Sequence, residues 1–462
     1  MHDTTSASAV RPHSSRRRAR LAAIASAALL SLSVGTLPAS AAAAPLPTAA
    51  TAEAAPHLDR KALRSTLDAI HRAGMYGAYS SVRDGSAQWR GATGVADFGS
   101  GRPMRPDLEH RVGSITKTFT SVAVLQQVAR GRIALDAPIG DYLPELVPGE
   151  RGRKVTVRML LNHTSGIADY VLPAFPKLTT NPQQALDEGQ FRRLAPEELV
   201  RLGLAATPEQ PRGTHAYANT NYILAGLLLK KVTGQDPEAY ITRNVIRKAG
   251  LRHTYFPRTA RIQGPHAKMY ESFFGYIDPP RDYSTYDMSW AGTAGALVST
   301  TSDLNDFYRQ LLRGELIGAA QLREMKKTVP GHEPGPGEEL VLRYGLGLYT
   351  LKLPDGAWYW GHDGAVFGAG TLALSTEDGR RQVTLGYNLM KYQRFDENNE
   401  PLPSEIDAAI IGHATTALGG TPAPGDSPVP QRLAVPEQMA PQARSAPQAR
   451  VTPQARVAPQ AR

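Results

Sequence analysis

Strand-forming segments occur in two groups that lie far apart in the chain, with helical patterns between them. The first group holds two segments and the second holds four: 76–82 and 87–94, then 344–353, 358–361, 365–375 and 382–388. Asp-Gly turn pairs join neighbouring segments, as in antiparallel hairpins. The pattern predicts an α/β (α+β) fold, in which an antiparallel sheet built from both groups is flanked by helices and carries an inserted all-α lobe.

The two ends of the chain have compositions that do not support a packed core. Residues 1–41 combine five arginines, an apolar run and an Ala-Ser-Ala site, which is typical of a secretory signal peptide. Paired arginines leave the general and twin-arginine export routes both open. Residues 42–56 are predicted to form a flexible leader. The Pro-Gln-Ala-Arg repeats of 421–462 are predicted to form a disordered tail. We therefore expect a secreted, extracellular protein with one globular domain over 57–420.

The net charge of +10 is concentrated in these ends. Five arginines against one aspartate give +4 in residues 1–43, and five arginines against two acidic residues give +3 in residues 421–462, which leaves +3 for the rest. A core so close to neutral does not favour nucleic-acid binding. The tail arginines could contact anionic cell-wall polymers, although a soluble spacer is the simpler interpretation.

The chain contains no cysteine, which excludes disulfides, thiol catalysis and thiolate metal sites. It lacks the Gly-x-Ser-x-Gly motif of Ser-His-Asp hydrolases and the His-Glu-x-x-His motif of zinc hydrolases. No second apolar run follows the signal peptide, so we expect no membrane anchor. No metal and no cofactor are predicted.

Ser114 and Lys117 stand three residues apart at the start of a predicted helix over 115–130, which Gly131 ends. Positions i and i+3 are neighbours on one helix face, so the Lys117 amine can reach the Ser114 hydroxyl. A serine attacks only when a base takes its proton, and a lysine can be that base when its pKa is lowered. For a lone Ser-x-x-Lys pair, an N-cap serine and a solvated lysine are the simpler interpretation.

Two further motifs accompany this pair. Tyr217-Ala218-Asn219 lies in a predicted loop ahead of a helix, and His362-Asp363-Gly364 leads into a predicted strand. A glycine there lets a ligand approach the strand backbone, whose N–H groups could join that of Ser114 in an oxyanion hole. Lys248-Ala249-Gly250 also fits a Lys-x-Gly pattern, but it follows an amphipathic helix and is interpreted as its C-terminal cap.

With these motifs in this order, the chain resembles the secreted serine D-alanyl-D-alanine carboxypeptidases of the class C β-lactamase superfamily. The likeness covers roughly residues 75–415. It extends to the sequence around and between the motifs: Arg-Val-Gly-Ser at 111–114, Leu-Asn-His-Thr-Ser-Gly at 161–166, Tyr-Ala-Asn-Thr-Asn-Tyr at 217–222, Ala-Gly-Ala-Leu-Val-Ser-Thr at 294–300 and Tyr-Gly-Leu-Gly-Leu at 344–348. The resemblance implies a β-lactamase/transpeptidase-like fold and a serine hydrolase that forms an acyl-enzyme.

The resemblance also assigns catalytic roles. Ser114 is the expected nucleophile, and Lys117 with Tyr217 the base system, in which the Lys117 cation would lower the Tyr217 pKa. Asn219 is expected to donate to the substrate carbonyl and to hold Lys117. His362 is expected to hydrogen-bond Tyr217 or the substrate.

The substrate side of the site is expected at the third motif. The backbone N–H groups of Ser114 and Ala365 form the expected oxyanion hole, with Gly364 and Asp363 beside the substrate. His163 and His215 are interpreted as structural.

Two departures from the family pattern concern the substrate. Asp363 stands where Thr or Ser is common, and an acidic group there would repel a free carboxylate. Only Lys352 offers a positive charge after the Tyr-Gly-Leu-Gly-Leu stretch, where relatives often have arginine.

The first-choice function is hydrolysis of peptidoglycan-type peptides by a D-Ala-D-Ala carboxypeptidase. A class C-like β-lactamase, an esterase and a D-amino-acid amidase on the same fold remain open, as does a non-catalytic penicillin-binding or wall-binding protein. We expect the protein to act as a monomer on a small peptide or β-lactam substrate.

Overall fold

The structure is a computed structural model that describes residues 57–332, 341–396, 402 and 404–420. The predicted signal peptide, leader and tail lie outside these residues and stay predictions. Among the described helices, none combines the length and the apolar character that a bilayer span requires.

Fourteen strands are present in the described part of the chain. In chain order they are β1 Gly77–Asp84, β2 Ala87–Asp97, β3 Arg102–Pro103, β4 His110–Arg111, β5 Tyr270–Glu271, β6 Arg281–Asp282, β7 Val298–Ser299, β8 Val329–His332, β9 Val341–Tyr344, β10 Tyr349–Lys352, β11 Trp358–Val366, β12 Ala369–Ser375, β13 Arg381–Tyr387 and β14 Leu389–Met390. Nine of them form one antiparallel sheet in the order β3-β2-β1-β13-β12-β11-β10-β9-β8.

The sheet joins the two ends of the domain. Strand β1 pairs with β2 on one side and with β13 on the other, so that Ala78 lies opposite Tyr387. The predicted sheet, built from strands of both groups, is therefore confirmed.

The other five strands form a three-stranded sheet, β14-β5-β6, and a two-stranded sheet, β4-β7. Thirteen α-helices are present among the described residues. They are α1 Arg60–Arg72, α2 Thr116–Ala129, α3 Gly149–Lys154, α4 Val157–Leu161, α5 Val171–Ala174, α6 Pro182–Gly189, α7 Pro196–Ala205, α8 Asn219–Thr233, α9 Pro237–Ile241, α10 Gly292–Gly295, α11 Thr301–Leu312, α12 Ala319–Met325 and α13 Glu405–Leu418. Helices α1 and α13 pack on one face of the sheet, and α11 packs on the other.

The central helix α2 is almost wholly buried, because most of its residues are apolar or small and polar on every side. A short 3₁₀ turn, Gly113–Ile115, precedes it and carries Ser114. The Thr116 hydroxyl donates to the Gly113 carbonyl at 2.7 Å, which closes that turn onto the helix. The segment from Val112 to Leu125 and the apolar face of α8 belong to the same core.

Two sequence-based expectations about strands are wrong. The sequence pattern predicts one strand over 365–375, but a turn at Phe367-Gly368 divides this segment between β11 and β12, and Gly368 has a left-handed φ of 79°. The pattern also predicts a break between strands 358–361 and 365–375, but β11 runs without interruption from Trp358 to Val366, through the third motif. Strand β11 lies inside the sheet, although its pairing with β10 reaches only as far as Gly361.

A buried histidine links three elements on the far side of the sheet. His413 of α13 contacts the Thr66 hydroxyl of α1 through Nδ1 and the Ser80 hydroxyl of β1 through Nε2, both at 2.9 Å. Its side chain is fully enclosed, and burial lowers its pKa from 6.5 to about 3. His413 is therefore neutral in the native protein throughout the weakly acidic range.

We expect acidification to destabilise the protein through this group. Below pH 6.5 the unfolded chain binds a proton that native His413 does not accept, so the free energy of unfolding falls between about pH 6.5 and pH 3. The loss at pH 5 is about 2 kcal/mol for this one group. Urea midpoints at pH 7 and pH 5 measure it, and His413→Gln should lose less between the two pH values than the wild type. An equal loss in both proteins would contradict the prediction.

Candidate active site

The amine of Lys117 lies among three oxygen atoms. Its Nζ is 3.0 Å from the Ser114 Oγ and 2.8 Å from both the Asn219 Oδ1 and the Ala294 carbonyl oxygen. Burial lowers the pKa of Lys117 from 10.5 to about 7, while Asp169 and Asp363 act in the opposite direction. A neutral amine has two N–H groups for Asn219 and Ala294, and its lone pair is then left for the proton of Ser114. The arrangement suits a general base at neutral pH.

Tyr217 lies beside this pair as a neutral phenol. The Lys117 Nζ is 4.9 Å from the centre of its ring. Burial raises the pKa of Tyr217 well above its usual value of 10, although the neighbouring Ser114 hydroxyl acts in the opposite direction. The expectation that the Lys117 cation would lower the Tyr217 pKa is therefore wrong, because loss of hydration outweighs the neighbouring amine. Tyr217 can donate a proton here, and Lys117 is the better acceptor.

The backbone N–H groups of Ser114 and Ala365 come together through two glycines. A Cβ atom on Gly364 would lie 1.9 Å from the Val112 carbonyl oxygen and 2.8 Å from the Ser114 nitrogen. A Cβ atom on Gly113 would lie 2.6 Å from the Ala365 nitrogen. Strand β11 therefore touches the Ser114 turn with its backbone, at the segment where β10 no longer covers it. This close contact between β11 and the Ser114 turn is what the predicted oxyanion hole requires.

His362 is fully buried and contacts neither Tyr217 nor the cleft. Its Nδ1 lies 2.5 Å from the Asp363 carbonyl oxygen, so Nδ1 carries the proton, and its Nε2 accepts from the Tyr344 hydroxyl at 2.8 Å. Burial lowers its pKa to about 3. The geometry therefore corrects the expected hydrogen bond to Tyr217 or substrate: His362 supports Tyr344 behind the site.

Asp363 is enclosed beneath the site and is absent from the cleft wall. Its side chain is 2 % exposed, and neither carboxyl oxygen accepts a hydrogen bond of normal geometry from the described residues. Burial raises its pKa to about 8, so the group is largely protonated at neutral pH. The expected repulsion of a substrate carboxylate requires an accessible, charged Asp363. The structure contradicts that premise.

His163 and His215 lie behind Tyr217. The His163 ring centre is 4.2 Å from that of Tyr217, and its Nδ1 accepts from the Ala218 backbone N–H at 3.2 Å. Burial lowers the pKa of His163 well below 6.5 and that of His215 to about 4. Both are therefore neutral. His163 packs against Tyr217 and His215 packs against His163 and Tyr344, in keeping with their structural interpretation.

A carboxylate that sequence reasoning missed lies behind Asn219. Asp169 accepts from the Asn219 side-chain nitrogen at 2.8 Å and from its backbone N–H at 3.3 Å. Asp169 follows the Thr-Ser-Gly turn at 164–166, and nothing in its local sequence distinguishes it from an ordinary loop aspartate.

The cleft next to Ser114 is mainly apolar and aromatic. Beyond the catalytic groups it is lined by small residues of α10, by the Val366 end of β11, and by larger side chains from distant segments: Val171, Leu178, Phe273, Trp290, Phe367 and Lys391. Phe367 stacks on Trp290 with ring centres 4.9 Å apart. Sequence reasoning missed these walls, because their segments meet only in the folded chain.

Lys391 is the one charged side chain among the residues that line the described cleft. Lys117 lies just behind the cleft wall. The Lys391 Nζ lies 3.0 Å from the Glu271 Oε2 and 5.2 and 5.5 Å from the ring centres of Phe273 and Phe367. Glu271 is fully buried and also accepts the backbone N–H groups of Phe273 and Gly368. The ion pair therefore fixes both aromatic walls, and its two charges cancel.

The same wall is built on strained backbone. Phe273, Phe274 and Lys391 have left-handed φ values of 42°, 61° and 45°, a region that residues other than glycine rarely occupy. The Phe274 N–H donates to the Lys391 carbonyl at 2.6 Å, which ties the two strained segments together. Such strain is typical of functional sites.

Comparison with known proteins agrees with this geometry. The family model described as Beta-lactamase matches residues 60–401. The crystal structure of a D-stereospecific amidohydrolase from Streptomyces sp. is 37% identical with a TM-score of 0.65, covering 72% of this chain and 95% of that one. These likenesses confirm the predicted β-lactamase/transpeptidase-like fold.

Two curated relatives match over a smaller share of their length. Esterase EstB of Burkholderia gladioli is 34% identical over 210 residues, which are 43% of this chain and 53% of the esterase. A D-aminopeptidase of Cereibacter sphaeroides is 26% identical over 372 residues, covering 77% of this chain and 64% of the aminopeptidase. The chain thus spans about half of the esterase and less than two thirds of the aminopeptidase.

Proposed function

The chain belongs to the beta-lactamase family of serine hydrolases, and from this premise we propose that it hydrolyses amides or esters whose acyl part is an apolar, D-configured residue. The observation that carries the proposal is the aromatic cleft beside Ser114. Lys391 is the one charged side chain that lines this cleft in the described part of the chain, and it is already paired with Glu271. The acyl-enzyme would form at Ser114.

In the first step the Ser114 Oγ attacks the carbonyl carbon, and its proton passes to the neutral Lys117 amine 3.0 Å away. The carbonyl electrons move onto the oxygen, which the Ser114 and Ala365 N–H groups stabilise. When the tetrahedral intermediate collapses, the leaving amine or alcohol takes a proton from the Lys117 ammonium through Tyr217. Water then repeats the sequence on the ester of Ser114 and releases the acid.

The walls of the cleft favour an uncharged, apolar group. Phe273, Trp290 and Phe367 present three aromatic rings to a bound group. A free carboxylate would need a cation, and Lys391 would have to leave Glu271 to supply it. The names of two relatives, a D-stereospecific amidohydrolase and a D-aminopeptidase, support the D configuration and the amide or peptide bond, and the esterase relative supports esters.

We expect N-acetyl-D-phenylalanine amide and its methyl ester to be hydrolysed at least about tenfold faster, as kcat/KM, than the D-alanine analogues. Phe367→Ala should narrow that ratio, because it removes one wall of the apolar cleft. Phe191→Ala is the matched control, since Phe191 is 64% exposed and does not line the cleft. A ratio that stays the same in Phe367→Ala, or L-substrates that react as fast as D-substrates, would contradict the proposal.

D-Ala-D-Ala carboxypeptidase, the first choice from the sequence, is the second candidate. Lys391 is the observation in its favour, because a cation on the cleft wall can bind a terminal carboxylate after exchanging partners. N-acetyl-D-Ala-D-Ala and its methyl ester separate the candidates. Faster hydrolysis of the free acid than of both the ester and the D-phenylalanine amide would favour the carboxypeptidase.

A further inference from the structure

We infer that Asp169 is a positioning residue for acylation, which holds the Asn219 carboxamide with its oxygen, and not its nitrogen, towards Lys117. The inference rests on the proposed roles of Ser114 and Lys117. It starts from a chain of contacts from Asp169 to Asn219, from Asn219 to Lys117 and from Lys117 to Ser114, with distances of 2.8, 2.8 and 3.0 Å.

The carboxamide of Asn219 has two ends of nearly equal size, so shape alone does not select its orientation. Asp169 does select it, because an ionised carboxylate only accepts hydrogen bonds. Its Oδ2 receives the Asn219 side-chain N–H, and its Oδ1 is held by the Val171 backbone N–H at 3.0 Å. The Asn219 oxygen must then point to Lys117. Asp169 is only 8 % exposed, so water does not readily replace this contact.

The orientation decides what Lys117 can do. With the Asn219 oxygen in front of it, the neutral amine donates one hydrogen there and one to the Ala294 carbonyl, and its lone pair faces Ser114. With the carboxamide reversed, an N–H group would point at Lys117. It would either take the lone pair needed by Ser114 or repel the ammonium form. In both cases Lys117 would lose its capacity to accept the proton.

Several charged or titratable groups surround the Lys117 amine, and Asp169 differs from the others. These neighbours are Asp169, Asp363, His163, His362, Tyr217 and Tyr222. Burial lowers the pKa of His362 to about 3 and raises that of Tyr222 above its usual value of 10, so both are uncharged at neutral pH. Asp363 has a pKa raised to about 8. Asp169 raises the pKa of Lys117 and contacts Asn219, which it also orients.

The first test is Asp169→Asn in the full chain, assayed with N-acetyl-D-phenylalanine methyl ester. We expect kcat to fall about 10²-fold with little change in KM, because binding groups stay in place while the base is misdirected. The acidic limb of the pH profile should move to lower pH, since Lys117 loses a negative neighbour. Asp407→Asn is the control: Asp407 is equally buried, but it lies in α13 on the opposite face of the sheet.

The second test is the exchange variant Asp169→Asn/Asn219→Asp. A carboxylate at position 219 accepts both from Lys117 and from the carboxamide introduced at position 169, so part of the lost kcat should return. The acidic limb should now lie above that of the wild type, because the negative charge touches Lys117 directly. If Asp169 only supported the fold, the exchange would not restore kcat. If Asp169→Asn alone does not fold, the exchange variant still provides the test.

The outcomes separate the inference from the proposed function. Wild-type kcat and pH profile in Asp169→Asn, with Ser114→Ala inactive, would overturn the role of Asp169 alone. An exchange variant whose acidic limb stays at the wild-type pH would also overturn it. Full activity in Ser114→Ala would overturn the proposed function itself.

Discussion

Ser114→Ala should reduce hydrolysis of every ester and amide substrate by at least about 10⁴-fold, because no other nucleophile lies next to Lys117 in the described cleft. Its folding should not change, since Ser114 is half-buried at the cleft and its hydroxyl contacts Lys117 there. Steady-state assays with the D-phenylalanine ester measure the loss, and thermal unfolding checks the fold.

The same variant distinguishes the chemistry of the family alternatives. The wild type incubated with a fluorescent penicillin should gain the mass of one adduct, and Ser114→Ala should gain none. Ser100→Ala, an exposed turn position, is the matched control and should behave as the wild type. A persistent adduct without substrate turnover would instead indicate a penicillin-binding protein. Turnover of a cephalosporin would indicate a β-lactamase. An adduct that persists in Ser114→Ala would exclude Ser114 as the nucleophile.

Gly364→Ala should lower kcat by about 10²–10³-fold, which is the usual cost of losing one oxyanion donor. The added Cβ would lie 1.9 Å from the Val112 carbonyl oxygen, so β11 and the Ser114 turn must separate. Both elements are backbone at the contact, and neither has a flexible side chain that could yield. The separation displaces the Ala365 N–H from the Ser114 N–H, and KM should change much less than kcat.

Gly412→Ala is the control for this substitution. A Cβ at Gly412 meets no atom within 4 Å, and alanine in helix α13 raises helix propensity. The control should therefore keep full activity and at least wild-type stability. Gly364→Ala with unchanged kcat would mean that the two N–H groups do not act together on the substrate oxygen.

The sequence was sufficient to predict the contact between Ser114 and Lys117 and the composition of the sheet. The i, i+3 spacing of Ser114 and Lys117 places them on one helix face whatever the rest of the fold, and the structure holds them 3.0 Å apart. The Asp-Gly turn at 84–85 likewise predicts the β1–β2 hairpin locally, and the expected single sheet from both groups is present, with β1 beside β13. Such features depend on periodicity alone.

Other features depend on depth and on distant segments, which periodicity does not encode. The motif suggests that Asp363 lies beside the substrate, but the side chains of a strand alternate, and its carboxyl group lies enclosed beneath the site. The expected lowering of the Tyr217 pKa by Lys117 fails for the same reason, since burial and not the neighbouring charge dominates the pKa of both groups. Asp169 and Lys391 act through residues far away in the chain.

The pairing of β1 with β13 has a consequence for when the enzyme becomes active. The Ser114 turn is synthesised early, but Gly364 and Ala365, which face it, follow some 250 residues later along the chain. Residues as distant as Ala78 and Tyr387 must also meet before the sheet closes. A nascent chain therefore presents Ser114 without the backbone of β11 beside it. We expect hydrolytic activity to begin only when the last strands dock, so that the chain is inert while it is being made.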